Sequence, residues 1–208
     1  MQDQELKHRV RPATLAVAVP FLLALAGCAA TVPPSVEEAP AALPVMAWDQ
    51  QGEHTDEWTA ATLAALETEG AALLSQVPAD IGTWCPNYVQ AAPRERAAFW
   101  AGLLSALARF ESTWNPQAVG GGGQWFGLVQ IAPATARGYG CDADSASELQ
   151  DGAANLQCAV EIASETVTRD GVVAAGGGGF AADWGPFASA AKRAEMAAWV
   201  SSQDYCRA

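Results

Sequence analysis

One glutamate stands where helix formation alone would place a base. In Ala108-Arg109-Phe110-Glu111-Ser112-Thr113-Trp114-Asn115-Pro116 the Asn-Pro pair must end an apolar helix, which puts Glu111 in its last turn. That end carries the negative pole of the helix dipole, where a cation would be stabilising. Counting back three, four, seven and eleven positions gives Ala108, Leu107, Leu104 and Trp100, so the carboxylate leaves from an apolar stripe. Desolvation and the dipole both disfavour ionisation, and a carboxyl pKa of roughly 4.3 is expected to rise toward about 6. Such a group can act as a general acid near neutrality. The plainer reading is a half-exposed glutamate paired with Arg109 or Arg137.

Other chemistries lack their residues. Of two histidines, His8 lies in the first residues and His54 at the edge of a proline-rich segment, which leaves a Ser-His-Asp or Cys-His arrangement one poor base. Neither a Walker-type phosphate loop nor an ordered dinucleotide fingerprint occurs; the Gly120–Gly123 run is only glycine. After residue 27 the sole lysine is Lys192. If the chain is an enzyme, a carboxylate does the work, and no cofactor or metal is expected. For a second acid the candidates are Asp142, Asp144 and Asp183, the first two reading as solvated loop charges.

The elements that must hold Glu111 read as helices. Strand signals are nearly absent, and Ala-rich segments of 12 to 20 residues alternate with Gly and Pro, which predicts an all-α domain. Expected helices cover 56–76, with Thr55 as cap, and 93–112, opened by Pro93 and apolar nearly all round, hence central and buried. A short helix should open at Pro133 and close at Gly138 or Gly140. Asp151 should cap a helix ended by Gly171, and a last helix should lie near 188–202. Residues 115–127 read as a glycine-rich loop suited to movement or close approach.

The start of the chain is not counted as fold. Lys7, Arg9 and Arg11 precede an apolar run too short for a comfortable membrane span, a signal-peptide pattern over residues 1–27. It ends in Leu25-Ala26-Gly27-Cys28, which resembles the lipobox of bacterial lipoproteins and so implies that Cys28 is lipidated; an ordinary secretory signal with a chance cysteine is the alternative. Residues 28–49, with Pro33, Pro34, Pro40 and Pro44, read as an extended tether of about 25 Å, leaving 50–208 as one domain able to bury a core. Losing residues 1–27 removes three cations and two acids, which takes the formal charge from −12 to −13. A body so acidic should be repelled by nucleic acid and anionic lipid, so any membrane attachment belongs to the lipid.

Cys85, Cys141, Cys158 and Cys206 remain, an even set that favours two disulfides in an exported chain. Three pairings are open. Cys141–Cys158 with Cys85–Cys206 is favoured, since the first closes a short loop and the second ties the start of the domain to its end. Zinc is disfavoured: there is no Cys-x-x-Cys, and no histidine follows the cysteines.

Glu111-Ser112, Asn115-Pro116, Gly127-Leu128-Val129-Gln130-Ile131, the Asn155 segment and Phe180-Ala181-Ala182-Asp183-Trp184 stand in an order that resembles the goose-type lysozyme and soluble lytic transglycosylase superfamily over roughly residues 80–190. A subgroup of that superfamily also carries a Cys-Pro before the catalytic helix and an Asn-Leu-x-Cys-Ala-Val after it, similar to Cys85-Pro86 and Asn155–Val160 here. Two departures bear on substrate contacts. The last motif offers Phe180, Asp183 and Trp184 where the family often has a tyrosine, and Trp125-Phe126 precede Gly127 where a small residue is usual.

The resemblance implies a lysozyme-like helical domain that cleaves the β-1,4 bond between N-acetylmuramic acid and N-acetylglucosamine in peptidoglycan, with Glu111 as the single acid and base and a 1,6-anhydro product. Ser112 either orients the Glu111 carboxylate or caps the helix; Gln130 and Asn155 either bind glycan or satisfy backbone. Gly127 and Leu128 belong to the same substrate-binding motif. Trp125 and Trp184 are expected in the cleft as flat apolar platforms for sugar rings, Trp100 and Trp199 in the core. Alternatives are a muramidase of the same fold and a noncatalytic glycan-binding lipoprotein. The expected partner is the glycan strand, with no nucleic acid, and the expected location is the cell envelope, at the outer membrane facing the periplasm.

Overall fold

The computed structural model of the protein describes residues 42–207; the signal segment, Cys28 and most of the expected tether lie outside the described residues. Eight α-helices, four short 3-10 segments and one two-stranded ribbon make up those residues.

The middle of the fold is α4 (Pro93–Ser112), opened by Pro93 and by Glu95, whose Oε2 accepts the Ala92 N–H at 2.8 Å. No charged residue occurs between Arg96 and Arg109, and Ala97 to Ala108 are all buried. A helix apolar all round can be satisfied only by neighbours on every side. Against it pack α1 (Thr55–Glu67), α2 (Ala71–Ser75) and α8 (Ala190–Ser201), while α3 (Ile81–Trp84) and α7 (Gly152–Asp170) pack on those helices in turn. Of these, α1 packs on both α4 and α7, and α8 on α4 and α3.

The helix expected over 56–76 is two. It breaks at Thr68–Gly70, where Thr68 leaves the helical region at φ −112° and ψ −89°, and a Cβ at Gly70 would stand 2.6 Å from Val160 Cγ1 of α7, so the close approach there requires glycine. Thr55 is the first helical residue rather than the cap, which is His54.

Local capping chemistry fixes the other ends. Asp151 Oδ1 accepts the Ala154 N–H at 2.9 Å to start α7, and Gly171 ends it in the left-handed region. Pro133 opens α5 (Pro133–Tyr139) and Gly140 closes it. Ser189 caps α8.

The domain begins earlier than residue 50. Met46 and Trp48 are buried, Trp48 Nε1 donates to Thr59 Oγ1 at 2.9 Å, and the Ala47 N–H donates to Ser105 Oγ at 2.9 Å. Proline content made this stretch resemble tether, while its two large apolar side chains bind it to α1 and α4. Disulfides join Cys85 to Cys206 and Cys141 to Cys158. Asp80 adds a polar cross-link absent from the sequence reading, its carboxylate accepting the N–H groups of Val173, Ala174 and Ala175 at 2.6, 3.0 and 2.9 Å.

Candidate active site

The end of α4 is held in an uncommon conformation. Thr113 and Trp114 both take left-handed φ, 52° and 59°, which side chains with a Cβ adopt at a cost of about 1–2 kcal/mol each. What offsets it is local to the helix end: the Trp114 N–H donates to the Ala108 carbonyl, and its indole Nε1 reaches back to the Ser105 carbonyl at 2.9 Å. Ser112 Oγ donates to the Leu128 carbonyl at 2.7 Å and accepts the Asn115 N–H at 3.1 Å. Of its two expected roles, Ser112 therefore takes the structural one, tying the helix end to the Gly127–Ile131 loop.

Beyond it the glycine-rich segment is a ribbon rather than an open loop. β1 (Val119–Gly120) pairs antiparallel with β2 (Trp125–Phe126), and Phe126 bridges to Ile131. Gly127 has φ +83°, and a Cβ there would lie 2.0 Å from the Leu149 carbonyl oxygen and 2.3 Å from Asn155 Nδ2, so only glycine fits. Gln130, also left-handed, donates through Nε2 to the carbonyls of Gly127 at 2.9 Å and Ala118 at 3.3 Å.

Asn155 is fully buried. Its Oδ1 accepts the Val129 N–H at 3.0 Å, and its Nδ2 donates to the carbonyls of Phe126 and Leu149, both at 3.0 Å. Trp184, only 4% exposed, donates from Nε1 to the Val129 carbonyl at 2.9 Å and packs on Phe180.

Three expectations are corrected here. Asn155, Trp184 and Leu128 offer no side-chain surface to a glycan, because the loop's own backbone polar groups require two of them and the core requires the third. Trp125 keeps the expected exposure at 47%. Gly127 is buried, and Gln130 half-buried.

Into this scaffold Glu111 projects half-buried, with no hydrogen bond or ion pair to its carboxylate among the described residues. Arg109 pairs instead with Glu195, and Arg137 donates to the Asp144 carbonyl at 3.0 Å. Burial pushes the Glu111 carboxyl up to about 7, against a smaller opposing effect of the Lys192 charge. A carboxyl that keeps its proton near neutrality can donate it and, once ionised, take one back. Two cavities of about 500 Å³ lie beside the start of α4 and along α7, and a smaller one of about 140 Å³ is lined by Arg109, Phe110 and Trp114, the neighbours of Glu111. Lys192, to which the sequence reading gave no role, is the charged neighbour of Glu111; its being the lone lysine after residue 27 was the available signal.

Residues 88–194, just over half of the chain, match the family model described as Transglycosylase SLT domain. No curated protein matches the chain. Solved structures of Bd0314 DslA superpose well. A glutamate-to-glutamine mutant gives TM-score 0.73 at 27% identity and wild-type form 2 gives 0.72 at 27% identity, each covering 80% of this chain and 100% of that one. A second glutamate-to-glutamine mutant gives 0.71 at 25% identity with the same coverage. With an acid at the end of a buried helix locked against a Gly-Leu-Val-Gln-Ile loop, and this family match, the chain belongs to the transglycosylase SLT domain family.

Proposed function

We propose that the protein is a peptidoglycan lytic transglycosylase in which Glu111 is both acid and base. The observation that carries this reading is a half-buried carboxyl, free of partners among the described residues and raised to about 7. Protonated Glu111 donates to the oxygen of the β-1,4 bond between N-acetylmuramic acid and N-acetylglucosamine, and that oxygen leaves with the N-acetylglucosamine unit. Positive charge develops at C1 of the muramic acid, where its own N-acetyl oxygen can support it. The Glu111 carboxylate then takes the proton of the C6 hydroxyl as that oxygen bonds to C1, closing the 1,6-anhydro ring. The acid is regenerated, and no water enters the product. Trp125 supplies an exposed apolar plane for a sugar face.

Hydrolysis would call for a second carboxylate to activate water or act as nucleophile. Asp183, the candidate with a defined partner, accepts a hydrogen bond from the Tyr139 hydroxyl at 3.0 Å, and nothing in its geometry favours it as a base.

Incubating the full chain with purified sacculi and weighing the released muropeptides tests the reading. Anhydro ends, each lighter by one water than a reducing end, are expected, and their loss in Glu111→Gln. Reducing ends would identify a hydrolase; undiminished turnover in the variant would remove Glu111 from the mechanism. A parent protein that binds sacculi without cutting them would be a glycan-binding lipoprotein.

Export and lipidation at Cys28 belong to the same proposal and would hold the domain at the envelope, with the outer membrane as the expected site. Among the described residues no helix is long and apolar enough to cross a membrane. Replacing Cys28 by Ala should move the protein from the membrane to the soluble fraction.

A further inference from the structure

Lys192 sits in the first turn of α8, the helix that packs on α4. Its Nζ lies 5.4 Å from the centroid of the Phe110 ring, and Phe110 immediately precedes Glu111. The guanidinium of Arg109 is also set against that ring, at 5.5 Å. Their situations differ. Arg109 is held by Glu195, and Arg193, the next residue of α8, donates to the Phe187 carbonyl. The Lys192 side chain is exposed and has no carboxylate or carbonyl partner among the described residues.

For a proton donor this cation is a disadvantage, because a positive charge beside Glu111 favours loss of its proton. It also stands alone in a chain of formal charge −12, where a carboxylate to neutralise it could have come from many positions. An unpaired ammonium over an aromatic ring, beside the reacting group, is arranged to receive an anion from outside.

We infer that Lys192 binds a carboxylate on the peptide stem of the sugar lying over Glu111, and so sets a preference for anionic peptidoglycan strands over uncharged ones. This rests on Glu111 being the residue at which the glycan is cut. Lys192 is then a specificity residue of that site. Its partner is neutralised on arrival, which also lifts the opposition to the Glu111 proton.

The test compares the full chain with Lys192→Met and Lys192→Arg on two soluble substrates: peptidoglycan strands with free stem carboxylates, and the same strands after amidation of those carboxylates. Lys192→Met should raise KM on the native strands about five- to tenfold, as for loss of one charge-assisted contact, with kcat little changed. On amidated strands its KM should match the parent's, while its kcat/KM should hold to higher pH because the charge opposing the Glu111 proton is gone, and Lys192→Arg should restore most of the native-strand KM. Added salt should shrink the KM difference between the parent and Lys192→Met on native strands and leave the amidated ones alone. Equal KM changes on both substrates, or none on native strands, would overturn the role of Lys192 while leaving Glu111 in place. Failure of the parent to cut either substrate would instead bring down the glycan-cleaving reading, and this inference with it.

Discussion

Glu111→Gln should make the protein more stable while abolishing its activity, and only above mildly acidic pH. The carboxyl rises from 4.5 to about 7 on folding, mainly through loss of water around the charged form. At roughly 1.36 kcal/mol per pH unit this bounds the penalty at about 3 kcal/mol, and because the side chain keeps some solvent, roughly 1–2 kcal/mol survives screening. The folded carboxyl holds its proton more tightly than the unfolded one. Stability from this group therefore falls as pH rises from 4.5 to about 7, the penalty being complete above that window and absent below it.

Glutamine does not titrate, and other pH-sensitive groups cancel in the difference between the two proteins. Thermal unfolding at pH 8 should place the variant roughly 2–8 °C above the parent, and the two should converge at pH 4.5. The parent's kcat/KM should decline above about pH 7, as the free protein loses the proton it must donate. Equal melting temperatures at pH 8, or a gap unchanged between the two pH values, would refute the claim that desolvation keeps this acid protonated.

Asn155→Leu should lower stability by about 3–5 kcal/mol in denaturant unfolding, since three hydrogen bonds go, and the buried Val129 N–H and Leu149 carbonyl lose their Asn155 partner while the Phe126 carbonyl keeps the Ile131 N–H; kcat should fall although Glu111 is intact. Trp125→Ala removes a largely exposed ring, so melting should hold while KM for glycan strands rises about two- to tenfold. Removing the Cys85–Cys206 bridge, which spans 121 residues, should cost about 5 kcal/mol, against about 3 kcal/mol for Cys141–Cys158, which spans 17; paired Cys→Ala variants in denaturant would show the order.

What could be read from the sequence was whatever depends on neighbours along the chain. Pro93, Pro133, Gly140 and Gly171 mark helix ends by their backbone conformation and Asp151 by its side-chain acceptor, and each stands at the end it marked. At the Thr68–Gly70 break the need for glycine was hidden because it answers to Val160, ninety residues away. The ribbon at Val119–Phe126 was hidden because a two-residue strand has no period to detect and its glycines suggest only looseness. Met46 and Trp48 were lost in a proline-rich composition. For Asn155 and Trp184 the residue types were right for sugar contacts, but type does not reveal direction, and both point inward to carbonyls and an N–H of the 126–149 region.

That inward direction divides the work of the site. Every polar group that Asn155 and the Trp184 indole possess is used on the Phe126–Val129 segment or on Leu149, and Ser112 spends its hydrogen on Leu128. A motif so fully committed to itself has little left with which to choose a substrate. Its product is rigidity: the helix end, and with it the Glu111 carboxyl, is fixed by Ser112, Trp114 and the strained pair at 113–114. Selection must then come from groups with unused capacity on the rim, and Trp125 and Lys192 are of that kind. Substitutions in the buried motif should consequently change stability and kcat together on every substrate. Substitutions at Trp125 or Lys192 should change KM, and at Lys192 only where the strand is charged.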